Sequence, residues 1–208
     1  MYFDLKNRIY VVTGASGGIG SALVNLLNKE GAELFLIDTD QTSLDELKKE
    51  QATHQNKNYF LNSNLKDFKE IKDNLQKPIS GIIHLAGQLE SDNVNTSKKP
   101  IWERAIQNNL TNAYDIIENM IPFFDKNIIG KIILTSSLAY RRGGFDFIPY
   151  TASKGGITGL VRAYSRKLAP EILVNGLAPG IIDTKMPKKL IENRGDELLK
   201  QIPQKRFG

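Results

Sequence analysis

The chain has 208 residues, 40% of them hydrophobic and 25% charged, with no cysteine and a net charge of +5. That length and balance suit one globular domain with a sizeable core and exclude disordered and fibrous classes. Without cysteine there are no disulfides and no thiol nucleophile, His54 and His84 make a poor metal-ligand set, and no apolar run approaches the ~20 residues of a membrane span.

In chain order, residues 8–13 (RIYVVT) read as a buried strand, 19–29 as a helix and 33–38 (ELFLID) as a second strand. A helix starts near Ser43, where Ser43-x-x-Glu46 fits a capping box. Residues 59–62 form a weaker strand, 66–75 a polar helix and 81–85 (GIIHL) a strand, followed by an Asn/Ser-rich surface loop over 88–99. Residues 102–124 read as one long amphipathic helix with Ile106, Leu110, Ala113, Ile117 and Met120 along one side. A strand over 131–136, a helix over 151–168 and a strand over 173–178 complete the alternation. Alternating β and α with continuously apolar strands predicts an α/β fold: a doubly wound parallel sheet with helices on both faces, in a single domain spanning 1–208.

Charges interrupt the N-terminal stretch where a signal peptide would be apolar, so secretion is not expected and the absence of cysteine agrees with the cytoplasm. Residues 185–208 carry seven Lys/Arg against three Asp/Glu. Two readings of this basic tail stand open: a solvated charged helix, or a docking patch for an acidic substrate carrier. No basic face interleaved with aromatics runs along the chain, so neither nucleic acid nor membrane is an expected partner.

Directly after the first strand stands Thr13-Gly14-Ala15-Ser16-Gly17-Gly18-Ile19-Gly20, then a helix. Glycines at 14, 18 and 20 allow a tight turn and close approach of a pyrophosphate to the unpaired N–H groups of the helix start. Eighteen residues past Gly20, Asp38 ends the second strand. A carboxylate there accepts from adenosine ribose hydroxyls and repels a 2′-phosphate, and neither Gly17 nor Thr39 is a compensating Lys or Arg. This favours NAD(H), with NADP(H) as the alternative cofactor; Asp38 starting an Asp-Thr-Asp turn is the competing reading.

The stretch 137–154 (SLAYRRGGFDFIPYTASK) carries the chemistry. Tyr150 and Lys154 stand four residues apart, one turn of helix, on one face. A free phenol ionises near pH ~10, and a neighbouring ammonium is expected to lower that by roughly 1–3 units. Tyr150 then serves as general acid/base, with Ser137, thirteen residues upstream at the end of an apolar strand, sharing a substrate oxygen.

These motifs, with Leu85-Ala86-Gly87, Asn109 and Asn175-Gly-Leu-Ala-Pro179-Gly180 in order over nearly the whole chain, resemble the short-chain dehydrogenase/reductase family. The resemblance implies a Rossmann-like sheet of order 3-2-1-4-5-6 and a substrate flap at about 181–200. It implies that Tyr150 is the acid/base, that Lys154 lowers its pKa and binds the nicotinamide ribose, that Ser137 holds the substrate oxygen, and that Asn109 anchors a water joining Lys154 to solvent. It places Gly14, Ser16, Gly17, Gly18, Ile19, Gly20, Asp38, Asn64, Leu65, Ala86, Gly87, Pro179, Gly180, Ile182 and Thr184 around the dinucleotide. Two departures stand out: His84-Leu85 occupies the place of a family Asn-Asn, and Asn64 that of an adenine-contacting Asp. His84 reads as a strand residue satisfied by backbone rather than a catalytic group, and Asn64 as weakening cofactor affinity at most.

Family members typically continue through one more helix and a seventh strand, without which the strand at 173–178 would be an exposed apolar edge. They are commonly dimers or tetramers. Ile116, Met120, Ile157, Leu160 and Val161 read as more apolar surface than one core-facing stripe on each helix needs, so a homodimer through those helices is expected, or a homotetramer with further residues. The substrate pocket is expected between 88–94, 138–147 and 181–199, where Phe145, Phe147 and Met186 suit an apolar substrate and core packing alike. Three functions compete: an alcohol dehydrogenase or ketone reductase of a small molecule; a 3-oxoacyl carrier-protein reductase acting on an acyl thioester; and a dinucleotide-binding sensor without turnover.

Overall fold

The computed structural model describes residues 5–53, 56–92 and 98–208. Strand β1 (Ile9–Thr13) is buried along its whole length, which only a sheet covered on both faces permits. Its neighbours are β2 (Glu33–Asp38), β3 (Asn58–Asn62), β4 (Gly81–His84), β5 (Gly130–Thr135) and β6 (Ile172–Leu177). All pairings are parallel and the order is β3-β2-β1-β4-β5-β6. The order reverses between β1 and β4, so a crevice opens at the carboxyl ends of those strands. Thr13, His84 and Thr135 stand at that edge.

The helices are α1 (Gly18–Lys29), α2 (Gln41–Gln51), α3 (Lys69–Asn74), α4 (Lys98–Ala105), α5 (Asn112–Met120), α6 (Ala139–Arg142), α7 (Ile148–Leu168) and α8 (Lys188–Gln201). Alternation along the strands divides the core. Val11, Phe35, Ile37, Ile82, Ile132 and Leu134 pack with Ile116, Ile117 and Met120 of α5 and Ile157 and Tyr164 of α7. Tyr10, Val12, Leu34, Leu36 and Ile83 point the other way, onto Val24 and Leu27 of α1 and Leu47 of α2. Among the described residues no helix is long and apolar enough to cross a membrane.

Several sequence expectations are corrected. The single helix over 102–124 is α4, a π-helical segment (Ile106–Thr111), α5 and a 3₁₀ turn (Ile121–Phe123). Apolar spacing alone does not register the one-residue surplus of a π turn, and Pro122 ends the regular run. The start of α2 is capped by Asp40 rather than Ser43. One Asp40 oxygen accepts the Ser43 N–H at 3.1 Å and the other the Ser43 hydroxyl at 2.7 Å, so a carboxylate does there what a hydroxyl alone cannot. The polar helix over 66–75 shortens to α3, and the surface loop over 88–99 ends at Lys98, where α4 begins, with residues 93–97 outside the described residues.

The premise of the helix-face dimer fails as well, because Ile116, Met120 and Ile157 have 0% exposure and belong to the core. Strand β6 lies at the sheet edge, where Ile172 and Val174 are buried on the helix side while Leu173 and Leu177 are 42% and 52% exposed. This asymmetry sets a stability test. Ile132→Ala, at the centre of the larger cluster, should destabilise the chain by about 2–5 kcal/mol in urea unfolding. Leu177→Ala should change stability by less than ~0.5 kcal/mol, and a larger loss would mean that this face is covered in solution.

Candidate active site

The phosphate-loop end is built first, because it constrains the rest. Gly14 has φ +69° and would place a Cβ 2.7 Å from the Ala86 backbone nitrogen, so the loops after β1 and β4 approach each other as only glycine allows. The Thr13 hydroxyl locks them. Its Oγ1 accepts the Ala86 N–H at 3.3 Å and shares a 2.8 Å hydrogen bond with His84 Nδ1. Gly17, Gly18 and Ile19 are exposed at the start of α1, which has no side-chain cap and no acidic residue in its first turn. Open N–H groups at the positive end of a helix dipole fit an anionic pyrophosphate.

Asp38 starts the turn and also meets the phosphate loop. Oδ2 accepts the Ser16 N–H at 3.0 Å, while Oδ1 accepts those of Thr39 at 2.7 Å and Asp40 at 3.2 Å. The carboxylate therefore starts the turn and also stands against the phosphate loop, where an adenosine ribose would meet it. Asn64 uses its own side-chain oxygen on the Lys66 N–H at 3.1 Å, while the Leu65 side chain is buried in the core and its N–H donates to the Ser63 hydroxyl at 3.2 Å. Pro179 accepts the Leu138 N–H at 2.9 Å, so Pro179-Gly180 lies against the segment that follows Ser137. Thr184 donates to the Ile182 carbonyl at 3.4 Å and packs on Gly18, bringing the flap onto the phosphate loop.

The second half of the site gathers about α7. Tyr150 lies in its first turn and Lys154 in the next, with the Lys154 ammonium 5.7 Å from the Tyr150 ring centre. The Lys154 side chain is buried and its Nζ donates to the Thr135 carbonyl at the end of β5 over 2.9 Å. Ser136 ties the same helix from the other side, donating its hydroxyl to the Lys154 carbonyl at 2.7 Å. The Ser137 side chain lies near enough to the Tyr150 phenol to lower its pKa, while its Oγ accepts the Ala139 N–H at 3.2 Å. Ser137, Tyr150 and Lys154 are thus brought together.

Asn109 sits inside the π segment with 0% exposure. Its Oδ1 accepts the Gln88 N–H at 2.8 Å and its Nδ2 donates to the Gln88 carbonyl at 3.0 Å. It therefore grips the strand-end loop from both directions, a role that the resemblance did not include. A Cβ on Gly87 would lie 2.6 Å from Asn109 Oδ1 and 3.2 Å from Lys154 Nζ, which places these two polar groups next to the same loop.

Burial sets the electrostatics. It pushes the Tyr150 phenol up from its ordinary value, opposed by the hydrogen bond from Ser137. Lys154 is not among the groups that shift the phenol, and burial pushes the lysine itself down to about 8. Desolvation, with the Lys154 charge behind it, takes His84 down to about 3, so its ring is neutral at any working pH. His84 bonds the Thr13 hydroxyl through Nδ1 rather than a backbone group, and its Nε2 has no protein partner. Sequence reasoning missed this Thr13–His84 pair and the Thr135 carbonyl; only the position of Thr13 at a strand end hinted at the first.

The three expected pocket walls meet at Asp146, with Val94 outside the described residues. Its carbonyl accepts the Asp92 N–H at 2.9 Å, and its carboxylate stands 4.0 Å from Arg194 of α8, at a residue where that helix is kinked. Phe145 is 88% exposed, Ile148 62% and Met186 49%, so core packing does not account for them. Phe147 is half-buried. Among the described residues no group of three His, Asp or Glu side chains is placed to hold a metal ion.

A family model described as short chain dehydrogenase matches residues 8–195. The chain is 30% identical to the 3-oxoacyl-[acyl-carrier-protein] reductase of Thermotoga maritima, over 98% of this chain and 86% of that protein. It is 31% identical to the acetoacetyl-CoA reductase of Synechocystis, over 98% and 84% of the two chains. Among solved structures, a short-chain dehydrogenase/reductase of Brucella melitensis titled glucose/ribitol dehydrogenase superposes with a TM-score of 0.91 at 31% identity, over 100% of this chain and 86% of that one. Actinorhodin polyketide ketoreductase, solved with NADPH, superposes with a TM-score of 0.86 at 22% identity, over 97% and 85% of the chains, a likeness of fold.

Two outcomes follow from the geometry. Tyr150→Phe should lower kcat by roughly 10²–10⁴-fold while leaving dinucleotide binding within a few-fold, since it removes a proton and little else; a variant retaining more than about a tenth of wild-type kcat overturns the assignment. With the roles expected from the sequence, carbonyl reduction would need Lys154 as a cation and Tyr150 as a neutral phenol. The lysine loses its proton as pH rises through about 8. The kcat/KM profile should therefore be level below that pH and fall above it, and a profile flat to pH ~10 contradicts this.

Proposed function

The chain belongs to the short-chain dehydrogenase/reductase family, and on that premise we propose that it interconverts a secondary alcohol and a ketone by nicotinamide-dependent hydride transfer. The observation that carries the reading is the gathering of half-buried Ser137 and Tyr150 with buried Lys154 beside an open glycine loop. The start of α1 would hold the pyrophosphate, Asp38 the adenosine ribose and Lys154 the nicotinamide ribose. The bound dinucleotide would supply or accept the hydride. In reduction, the Tyr150 phenol gives its proton to the substrate oxygen while the Ser137 hydroxyl donates a hydrogen bond to the same atom. In oxidation, both roles run in reverse. Burial favours the neutral phenol, which suits Tyr150 to the acid role of reduction.

A 3-oxoacyl thioester is the second reading of the substrate. Two relatives at 30–31% identity are named as reductases of such compounds, and the exposed Phe145, Ile148 and Met186 suit an acyl chain. A binding module without turnover would have no use for such an acid/base pair. Assembly as a dimer or tetramer rests on the family resemblance alone, now that the helix-face premise is gone. Turnover of 3-oxoacyl thioesters, simple ketones and secondary alcohols with NADH and NADPH separates these readings. Activity confined to thioesters selects the second, and no oxidation of either cofactor by any carbonyl substrate selects the sensor.

The same assay tests the cofactor. Asp38 should make NADH the better substrate by roughly 10–100-fold in kcat/KM, the scale of a charge-assisted hydrogen bond. Asp38→Ser with Thr39→Arg should narrow or reverse that ratio. A wild type that already prefers NADPH refutes the role given to Asp38.

A further inference from the structure

The adenosine end of the cleft has a cation that its own sequence neighbourhood lacks. Neither Gly17 nor Thr39 is basic, and beyond Asp38 the turn leads to a second carboxylate, Asp40. From 142 residues away, Lys185 places its Nζ 3.4 Å from the Ser43 hydroxyl, which itself donates to Asp40 at 2.7 Å. Hydrogen bonds from Ser43 hold the Asp40 carboxyl below the ordinary range, and the Lys185 charge adds to them.

The approach is fixed by the flap backbone. Thr184 packs its methyl into the space that a side chain on Gly18 would need. On the other side Gly208 donates to Ile181 and accepts from Asp183, both at 3.0 Å. The segment 181–185 therefore crosses the cleft from the Pro179-Gly180 side, over the phosphate loop, to the start of α2.

We propose that Lys185 is a specificity-determining residue of the dinucleotide site, delivered by the flap to the outer side of Asp38, where it receives the 2′-phosphate of NADP(H). The inference rests on the dinucleotide reading above and deepens it. A 2′-hydroxyl meets the Asp38 carboxylate, so a phosphate on that oxygen extends past it toward the turn over 39–43. Asp38 and Asp40 repel it there. Lys185 offsets part of that repulsion, and because an ammonium is a mobile, strongly hydrated point charge the offset is incomplete. Asp38 thus sets the direction of the cofactor preference and Lys185 limits its size.

The test is calorimetric titration of the full chain, as wild type, Lys185→Met and Lys185→Arg, with adenosine 2′,5′-bisphosphate and ADP as probes. Lys185→Met should weaken the 2′,5′-bisphosphate about tenfold and ADP less than about twofold, with Lys185→Arg close to wild type. The kcat/KM ratio of NADH to NADPH should widen by a similar factor. Lys185 is exposed, so the melting temperature should not move. Equal weakening of both probes would mean that Lys185 only latches the flap or attracts anions in general, and overturns the inference, as does no change in either. A wild type that binds neither probe overturns the dinucleotide reading and this inference with it.

Discussion

The buried ammonium of Lys154 is the constraint on which the rest of the site depends. A charge taken out of water must find hydrogen-bond partners, and here the Thr135 carbonyl is one of them at 2.9 Å. That requirement fixes α7 against the end of β5. The Ser136 hydroxyl, donating to the Lys154 carbonyl at 2.7 Å, fixes it a second time through the backbone. Once α7 is seated so, Tyr150 one turn earlier faces the segment that leaves β5, which brings it near Ser137.

The loops around that anchor are held by polar groups whose partners are backbone atoms. Asn109 holds Gln88 by both its N–H and its carbonyl, at 2.8 and 3.0 Å. A regular helix would turn Asn109 by about 100° per residue with no slack; the surplus of the π segment lets an asparagine face the loop while Ala113, Ile116 and Ile117 still face the core. The cost of an irregular helix is repaid by two satisfied polar groups that would otherwise be buried without partners.

Charge around the reacting groups is decided by burial more than by neighbours. Tyr150 is raised and Lys154 lowered by the same cause, loss of water, acting on groups of opposite sign. Burial keeps the phenol protonated at neutral pH and pushes its lysine down to about 8. His84 follows the same logic further: neutral under all working conditions, it braces Thr13 and the loop at Ala86 instead of titrating.

Much of this was legible in the chain itself. Sheet order followed from the alternation of apolar strands and amphipathic helices together with the family resemblance, and the glycine loop and the 137–154 stretch lay where strand-to-helix transitions put them. These features are local: hydrophobic period, glycine φ freedom and i,i+4 spacing act over a few residues and leave a pattern that can be read in order. What only the tertiary structure decided is non-local. That Lys154 bonds Thr135, that Asn109 grips Gln88 through a π turn, and that Lys185 crosses 142 residues of sequence to reach Ser43 leave no periodic trace. Nor could spacing foresee that burial would outweigh the lysine in setting the Tyr150 proton, since desolvation depends on everything packed around a group and not on its neighbours along the chain.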